Sequence, residues 1–96
     1  MIEVPQTEIL ARWLERLRDG RARARINARI RRLSVGIPGD VKSIGGGVLE
    51  MRIDYGPGYR VYFVRRGEAL VILVAGGDKQ TQSHDIAMAI KLARDL

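Results

Sequence analysis

The chain has 96 residues, 46% of them hydrophobic and 29% charged, a balance that supports one folded core, leaves no room for a second domain and makes residues 1–96 a single unit. With no cysteine and one histidine, His84, disulfides and thiolate metal sites are excluded, and neither a metal nor another cofactor is expected. The net charge of +6 points to a polyanionic partner, nucleic acid first, whereas no apolar run is long enough to span a bilayer and the N-terminus lacks signal-peptide staging, so a cytoplasmic protein without a membrane partner is expected.

In chain order, Ile2 to Val4 allows a short strand. From Thr7 to Leu17, Ile9, Leu10, Trp13, Leu14 and Leu17 share one helical face, and Thr7 is placed to cap it. Asp19 or Gly20 breaks that pattern. A second helix, Arg21 to Leu33, brings Ile26, Ile30 and Leu33 together and leaves its other faces rich in arginine. Met1 to Leu33 carries nine arginines against four acids, so the basic excess sits in one segment, where Arg21, Arg25 and Arg29 are candidate RNA contacts. A solvated helix face or an acidic protein partner accounts for the same charge.

Five glycines and one proline between Ser34 and Gly47 predict a flexible loop; Gly45-Gly46-Gly47 lacks the Gly-Lys-Ser/Thr ending of a nucleotide-binding loop. From Val48 the period becomes two, with Leu49, Met51 and Ile53 facing a core and Glu50, Arg52 and Asp54 facing away. Tyr55-Gly56-Pro57-Gly58 supplies a turn, and alternation resumes from Tyr59 to Val64. Ala69 to Ala75 is apolar on both faces and reads as a strand covered on both sides, ended by Gly76 and Gly77. Ile86, Ile90 and Ala93 make Ser83 to Leu96 a closing helix. The predicted architecture is an α+β domain: a short N-terminal strand, two helices, a three-stranded antiparallel meander and a C-terminal helix.

Keeping the apolar sides of the hairpin together requires Ile53 opposite Tyr59, and therefore Arg52 opposite Arg60 and Glu50 opposite Tyr62. Two facing arginines repel unless an anion lies between them, and either a phosphate or nearby acids such as Glu50 would serve. Lys79, after the last strand, reaches the rim of the same sheet, where glycines let backbone N–H groups converge on an anion or Asp78 simply caps the turn. RNA cleavage without metal needs a base for the 2′-hydroxyl, cations for the phosphate and an acid for the departing 5′-oxygen. Arg52, Arg60 and Lys79 are the candidate cations, and Lys79 or Lys42 the candidate base. Tyr62, with Tyr55 in the turn, is the candidate proton donor or stacking group, since Tyr59 faces the core; His84 is a further candidate acid.

Gly39-Asp40-Val41-Lys42, the stretch from Glu50 through Tyr55-Gly56-Pro57-Gly58-Tyr59-Arg60 to Phe63, and Gly76-Gly77-Asp78-Lys79 together resemble the addiction-module killer proteins, a HigB-like branch of the RelE/ParE toxin superfamily. The resemblance runs from Trp13 to the last helix. It implies a RelE-like fold and a cognate antitoxin, here a helix-turn-helix protein, with operator DNA reached only through the toxin–antitoxin complex. It also implies that Arg60 stabilises a scissile phosphate, with Arg52 and Lys79 completing the site. Relatives that place a Tyr or His near the C-terminus are matched here only by His84.

The expected function is the toxin of a type II toxin–antitoxin system, a ribosome-dependent, metal-independent mRNA endonuclease that inhibits translation. Two other classes stay open: a ParE-like inhibitor of DNA gyrase and a non-catalytic basic RNA-binding module. One fold supports all three.

Overall fold

A computed structural model describes all of residues 1–96. In order, the elements are α1 (Glu8–Arg16), α2 (Gly20–Ser34), β1 (Val41–Gly45), β2 (Val48–Ile53), β3 (Tyr59–Arg65), β4 (Val71–Gly77) and α3 (Gln82–Arg94). The four strands form one antiparallel sheet in the order β1-β2-β3-β4, an α+β arrangement consistent with a RelE-like fold.

Both N-terminal helices start where a side chain replaces a missing backbone partner. The Thr7 hydroxyl accepts from the Leu10 N–H at 3.2 Å and donates to the Val74 carbonyl at 2.6 Å, so one cap also ties α1 to β4. Asp19 accepts from the N–H groups of Arg21 and Ala22 at 3.0 and 3.2 Å. Leu10 and Leu14 of α1, with Ile26 and Leu33 of α2, pack on Met51, Ile53, Val61, Phe63, Val71 and Leu73, which form the main core on one face of the sheet. Ile9, expected on the buried stripe, is 40% exposed.

The opposite face is covered as well. Ala89 and Ala93 of α3 seal a second cluster containing Val48, Tyr62, Val64, Val74 and Ala75. The reading of β2 and β3 as strands with one solvent face is therefore corrected: Glu50 and Tyr62 point away from the main core and are buried under α3.

Three further expectations change for identifiable reasons. The segment Ser34 to Gly47 is not simply a flexible loop, because Val41–Gly45 pairs with β2 as a fourth strand. Gly45, Gly46 and Gly47 all have positive φ (101°, 61° and 77°), so the triplet closes a hairpin that side chains would strain. Gly76 and Gly77 are the last two residues of β4, still paired opposite Val61 and Arg60, instead of lying just beyond it. They mark close approaches: a Cβ on Gly76 would fall 2.3 Å from the Trp13 ring, and one on Gly77 would fall 1.8 Å from Asp85 Oδ2.

The N-terminal segment runs parallel to β4 without forming a continuous strand. The Glu3 and Thr7 N–H groups donate to the Ala69 and Leu73 carbonyls, and the Glu3 and Pro5 carbonyls accept from Val71 and Leu73, all at 2.9 Å. Pro5 stands where the next donor toward β4 would fall and has no N–H. The ladder consequently breaks into two isolated bridges, Glu3↔Leu70 and Gln6↔Leu73.

Candidate functional site

The β2–β3 hairpin has the register required by its apolar alternation, with Ile53 opposite Tyr59, Arg52 opposite Arg60 and Glu50 opposite Tyr62. At its turn end the sheet opens into a cleft of about 470 Å³, whose lining includes Asp40, Arg52, Asp54, Tyr59, Arg60 and Lys79. Three of the expected cations thus converge from β2, from β3 and from the loop after β4.

Their electrostatic states differ. Arg60 is only 8% exposed, and its guanidinium donates to the Gly58 carbonyl at 2.6 Å. The two ion pairs of the chain are Arg12–Glu8 and Arg52–Asp40, so Arg60 has no carboxylate partner. Its Nε is buried without a hydrogen bond. A nearly buried cation with donors to spare is costly unless an anion completes it. Arg52 is partly neutralised by Asp40, Nη2 to Oδ1 at 3.3 Å, and its own Nε is also unpartnered. Lys79 is exposed and in no ion pair.

Local sequence explains this convergence. Gly58 has a φ of +82°, and a Cβ there would lie 2.9 Å from Arg60 Nη1 and 3.7 Å from the Lys79 Cβ, so glycine both makes the turn and leaves room for the guanidinium. Lys79 is presented by a loop held on both sides of it. Asp78 Oδ1 accepts from the Gln80 and Thr81 N–H groups at 2.9 and 3.3 Å, and the Thr81 hydroxyl accepts from the Asp78 N–H at 3.3 Å. The Thr81 hydroxyl donates in turn to Asp85. Gly76 and Gly77 are strand residues and Asp78 takes the amides of 80 and 81, so the expected alternative of a backbone anion nest here gives way to the capping arrangement.

The two strand tyrosines are placed differently from expectation. Tyr62 is fully buried, and its hydroxyl makes no hydrogen bond; burial first and the neighbouring Glu50 carboxylate second push its pKa far up. Tyr62 is not part of the cleft lining. Tyr59, set aside because its register faces the core, is half-buried at the end of the sheet and lines the cleft, with its ring edge-on to Trp13 at 6.2 Å between centroids and 64° between planes. Burial, ahead of the charges of Asp19 and Asp78, raises its pKa as well.

Several other candidate positions fall outside the cleft lining. His84 is exposed in the first turn of α3, and Lys42 is exposed on β1 opposite Glu50. Glu50 accepts from the Gln82 amide at 3.0 Å, so it neutralises neither facing arginine through an ion pair. The Tyr55 hydroxyl donates to Asp19 at 3.2 Å, and its ring lies 4.7 Å beneath the Arg25 guanidinium, which fastens the hairpin turn to the start of α2. Arg29 is half-buried and donates to the carbonyls of Arg52 and Pro38 at 2.6 and 3.0 Å; burial and the nearby Arg32 lower its pKa against the opposing pull of Asp40. Its guanidinium is thus engaged inside the fold. Arg21 is exposed.

Sequence reasoning missed Asp40, Asp54 and Tyr59 as cleft residues. Asp40 was hidden in a stretch read as loop, and Tyr59 by a two-way division into core and solvent that fails at a strand end. The Gly-Gly pair did carry a signal, since glycine inside a strand marks close approach. Nowhere do three or more His, Asp or Glu side chains gather in a way that could hold a metal ion, and no helix is long and apolar enough to cross a membrane.

The fold and cleft define a small basic α+β protein whose cations converge at one end of an antiparallel sheet. The chain belongs to the family of phage-derived Gp49-like proteins (DUF891), whose model matches residues 12–96. That family is often associated with toxin–antitoxin pairs, a setting consistent with an antitoxin partner. The chain is also similar to an uncharacterized protein of Haemophilus influenzae, 50% identical over 95 residues that span 99% of this chain and 96% of the relative.

Proposed function

We propose that this protein is the toxin of a type II toxin–antitoxin pair, in the RelE/ParE superfamily, and that it cleaves mRNA on the ribosome without a metal ion. The observation that carries the reading is Arg60: nearly buried, without a carboxylate partner, and opening onto the cleft that Arg52 and Lys79 share. A scissile phosphate seated there supplies the negative charge that Arg60 lacks. The 2′-oxygen then bonds to phosphorus, the bond to the 5′-oxygen breaks, and the products are a 2′,3′-cyclic phosphate and a 5′-hydroxyl.

Negative charge grows on the phosphate oxygens as the 2′-oxygen approaches, and fixed cations stabilise that state more than the ground state. Proton transfer requires an acceptor for the 2′-hydroxyl proton and a donor to the leaving oxygen. Asp54, exposed and in no ion pair, is the acceptor in this reading, and the Lys79 ammonium is the donor. The half-buried Tyr59 ring offers a face for a nucleobase. Purified protein mixed with programmed ribosomes should cut the mRNA and leave cyclic-phosphate ends; Lys79→Ala should lower the rate by 10²-fold or more, on the order expected for losing a proton donor. Intact mRNA in the presence of the wild-type protein would remove the nuclease and leave gyrase as the target to assay.

A further inference from the structure

We infer that a second surface, at the end of the sheet opposite the cleft, is a docking groove for an acidic polypeptide segment carrying apolar anchors; under the toxin reading above, on which this rests, that segment belongs to the antitoxin. β4 starts beside Glu3 and runs toward the cleft. Its entry is bonded to Glu3 through Ala69 and Val71, and its exit, Gly77, is paired with Arg60. Seven residues of strand put roughly 20 Å between the two ends of β4, while along the chain Gly36 of the groove is four residues, at most about 15 Å, from Asp40 of the cleft.

At the far end the Ile2 N–H donates to the Ser34 carbonyl at 2.9 Å, which fixes the N-terminal segment against the last turn of α2. Between them lies a groove of about 390 Å³ lined by Met1, Ile2, Ser34, Val35 and Gly36. The next residue, Ile37, is held by its N–H to the Arg32 carbonyl at 2.9 Å, yet it is 57% exposed; Val35 is 58% exposed. Met1, Val35 and Ile37 are three of the five large apolar side chains the fold leaves exposed, and all three belong to this small region. Isolated exposed apolar residues are ordinary; a cluster lining a groove is the pattern of an interaction site.

Charge selects the occupant. Arg31 and Arg32, in the last turn of α2, are exposed and in no ion pair, and the adjoining segments, residues 1–4 and 31–37, contain one acid, Glu3. A second copy placed on this groove would set arginines against arginines, which disfavours self-association. An acidic segment matches Arg31 and Arg32, in the helical turn that leads into the groove, while its apolar side chains cover Val35 and Ile37, the layout of an apolar centre with a polar edge.

The test uses the full-length protein and the product of the gene adjacent to its own, with the dissociation constant measured by calorimetry at two salt concentrations. A Val35→Glu/Ile37→Glu double variant should bind at least tenfold more weakly while keeping its circular dichroism and its toxicity, because both positions are exposed and outside the cleft. An Arg31→Glu/Arg32→Glu variant should also bind more weakly and lose much of the salt dependence. Unchanged affinity in both variants would overturn the docking site and leave the toxin reading standing. Failure of the neighbour's product to bind the wild-type protein would overturn the partner reading together with it. Should the variants lose only binding to phosphatidylglycerol vesicles, or only self-association in the ultracentrifuge, the occupant is a lipid surface or a second copy and the proposal is wrong.

Discussion

Two pairs of facing residues lie one step apart on the same side of the β2–β3 hairpin, and the protein treats them oppositely. Glu50 and Tyr62 are sealed under α3, where Gln82 bonds the carboxylate and the phenol is left without a partner. Arg52 and Arg60 line the cleft, Arg60 nearly buried beside it. Register therefore puts all four side chains on one face, and the length and position of α3 decide which pair is core and which is site. The chemistry follows from that division: a polar pair inside stabilises or strains the fold, whereas a cationic pair at the open end is available to a ligand.

The largest expected effect comes from breaking the seat of α3. Gly77→Val puts a side chain where Asp85 now lies, so the first turn of the helix must shift; overpacking of this kind costs about 1–3 kcal/mol, and the wider branch places it at the upper end. Thermal denaturation should show the loss, together with weaker activity, because Lys79 hangs from the same turn. Next is Arg60→Met. Removing a nearly buried cation that lacks a counter-ion should leave stability unchanged or raise it by about 1 kcal/mol, while abolishing toxicity. A variant that is both non-toxic and strongly destabilised would mean that Arg60 is a structural group.

A smaller effect separates the sealed pair. The raised pKa of Tyr62 means that the folded protein keeps this phenol protonated where the unfolded chain releases its proton. Its contribution to stability is therefore complete below pH ~10 and is lost as pH rises above that value toward the folded-state pKa. Tyr62→Phe should flatten the alkaline fall in stability measured by urea denaturation between pH ~8 and ~11, with Tyr59 responsible for a residual slope. At neutral pH the same change should be neutral or slightly stabilising, since the hydroxyl has no partner to lose. The smallest effect concerns the open pair: Asp40→Asn releases Arg52 from a partly exposed ion pair worth no more than about 1 kcal/mol, and should tighten binding of a short RNA without altering the fold.

The comparison also marks where the sequence was legible. Strict alternation in Leu49, Met51 and Ile53 against Tyr59, Val61 and Phe63 left one register possible, and it is the one observed, so Arg52 and Arg60 could be paired before any coordinates. Helix positions followed from apolar spacing, and the Thr7 cap from its chemistry, whereas Asp19, expected only to interrupt the first helix, also caps the second. What escaped depends on long-range packing. Nothing local distinguishes Tyr62 under a helix from Tyr59 at a sheet's end. β1 has only five residues between glycines, so the turn-forming triplet masked a hairpin. The role of Pro5 shows only once its missing N–H is set against β4. Arg29, read as a surface cation, is committed to carbonyls of Arg52 and Pro38, partners distant in sequence.

The most direct test of the central claim, that Arg60 and its neighbours form the phosphate seat of a translation-dependent nuclease, is to induce the gene without its neighbour in a bacterial host and map new mRNA 5′ ends beside Arg60→Ala and Lys79→Ala controls. Cuts phased with codons that disappear in both variants are the predicted result. Growth arrest with uncut mRNA, or cuts that persist in both variants, would contradict it.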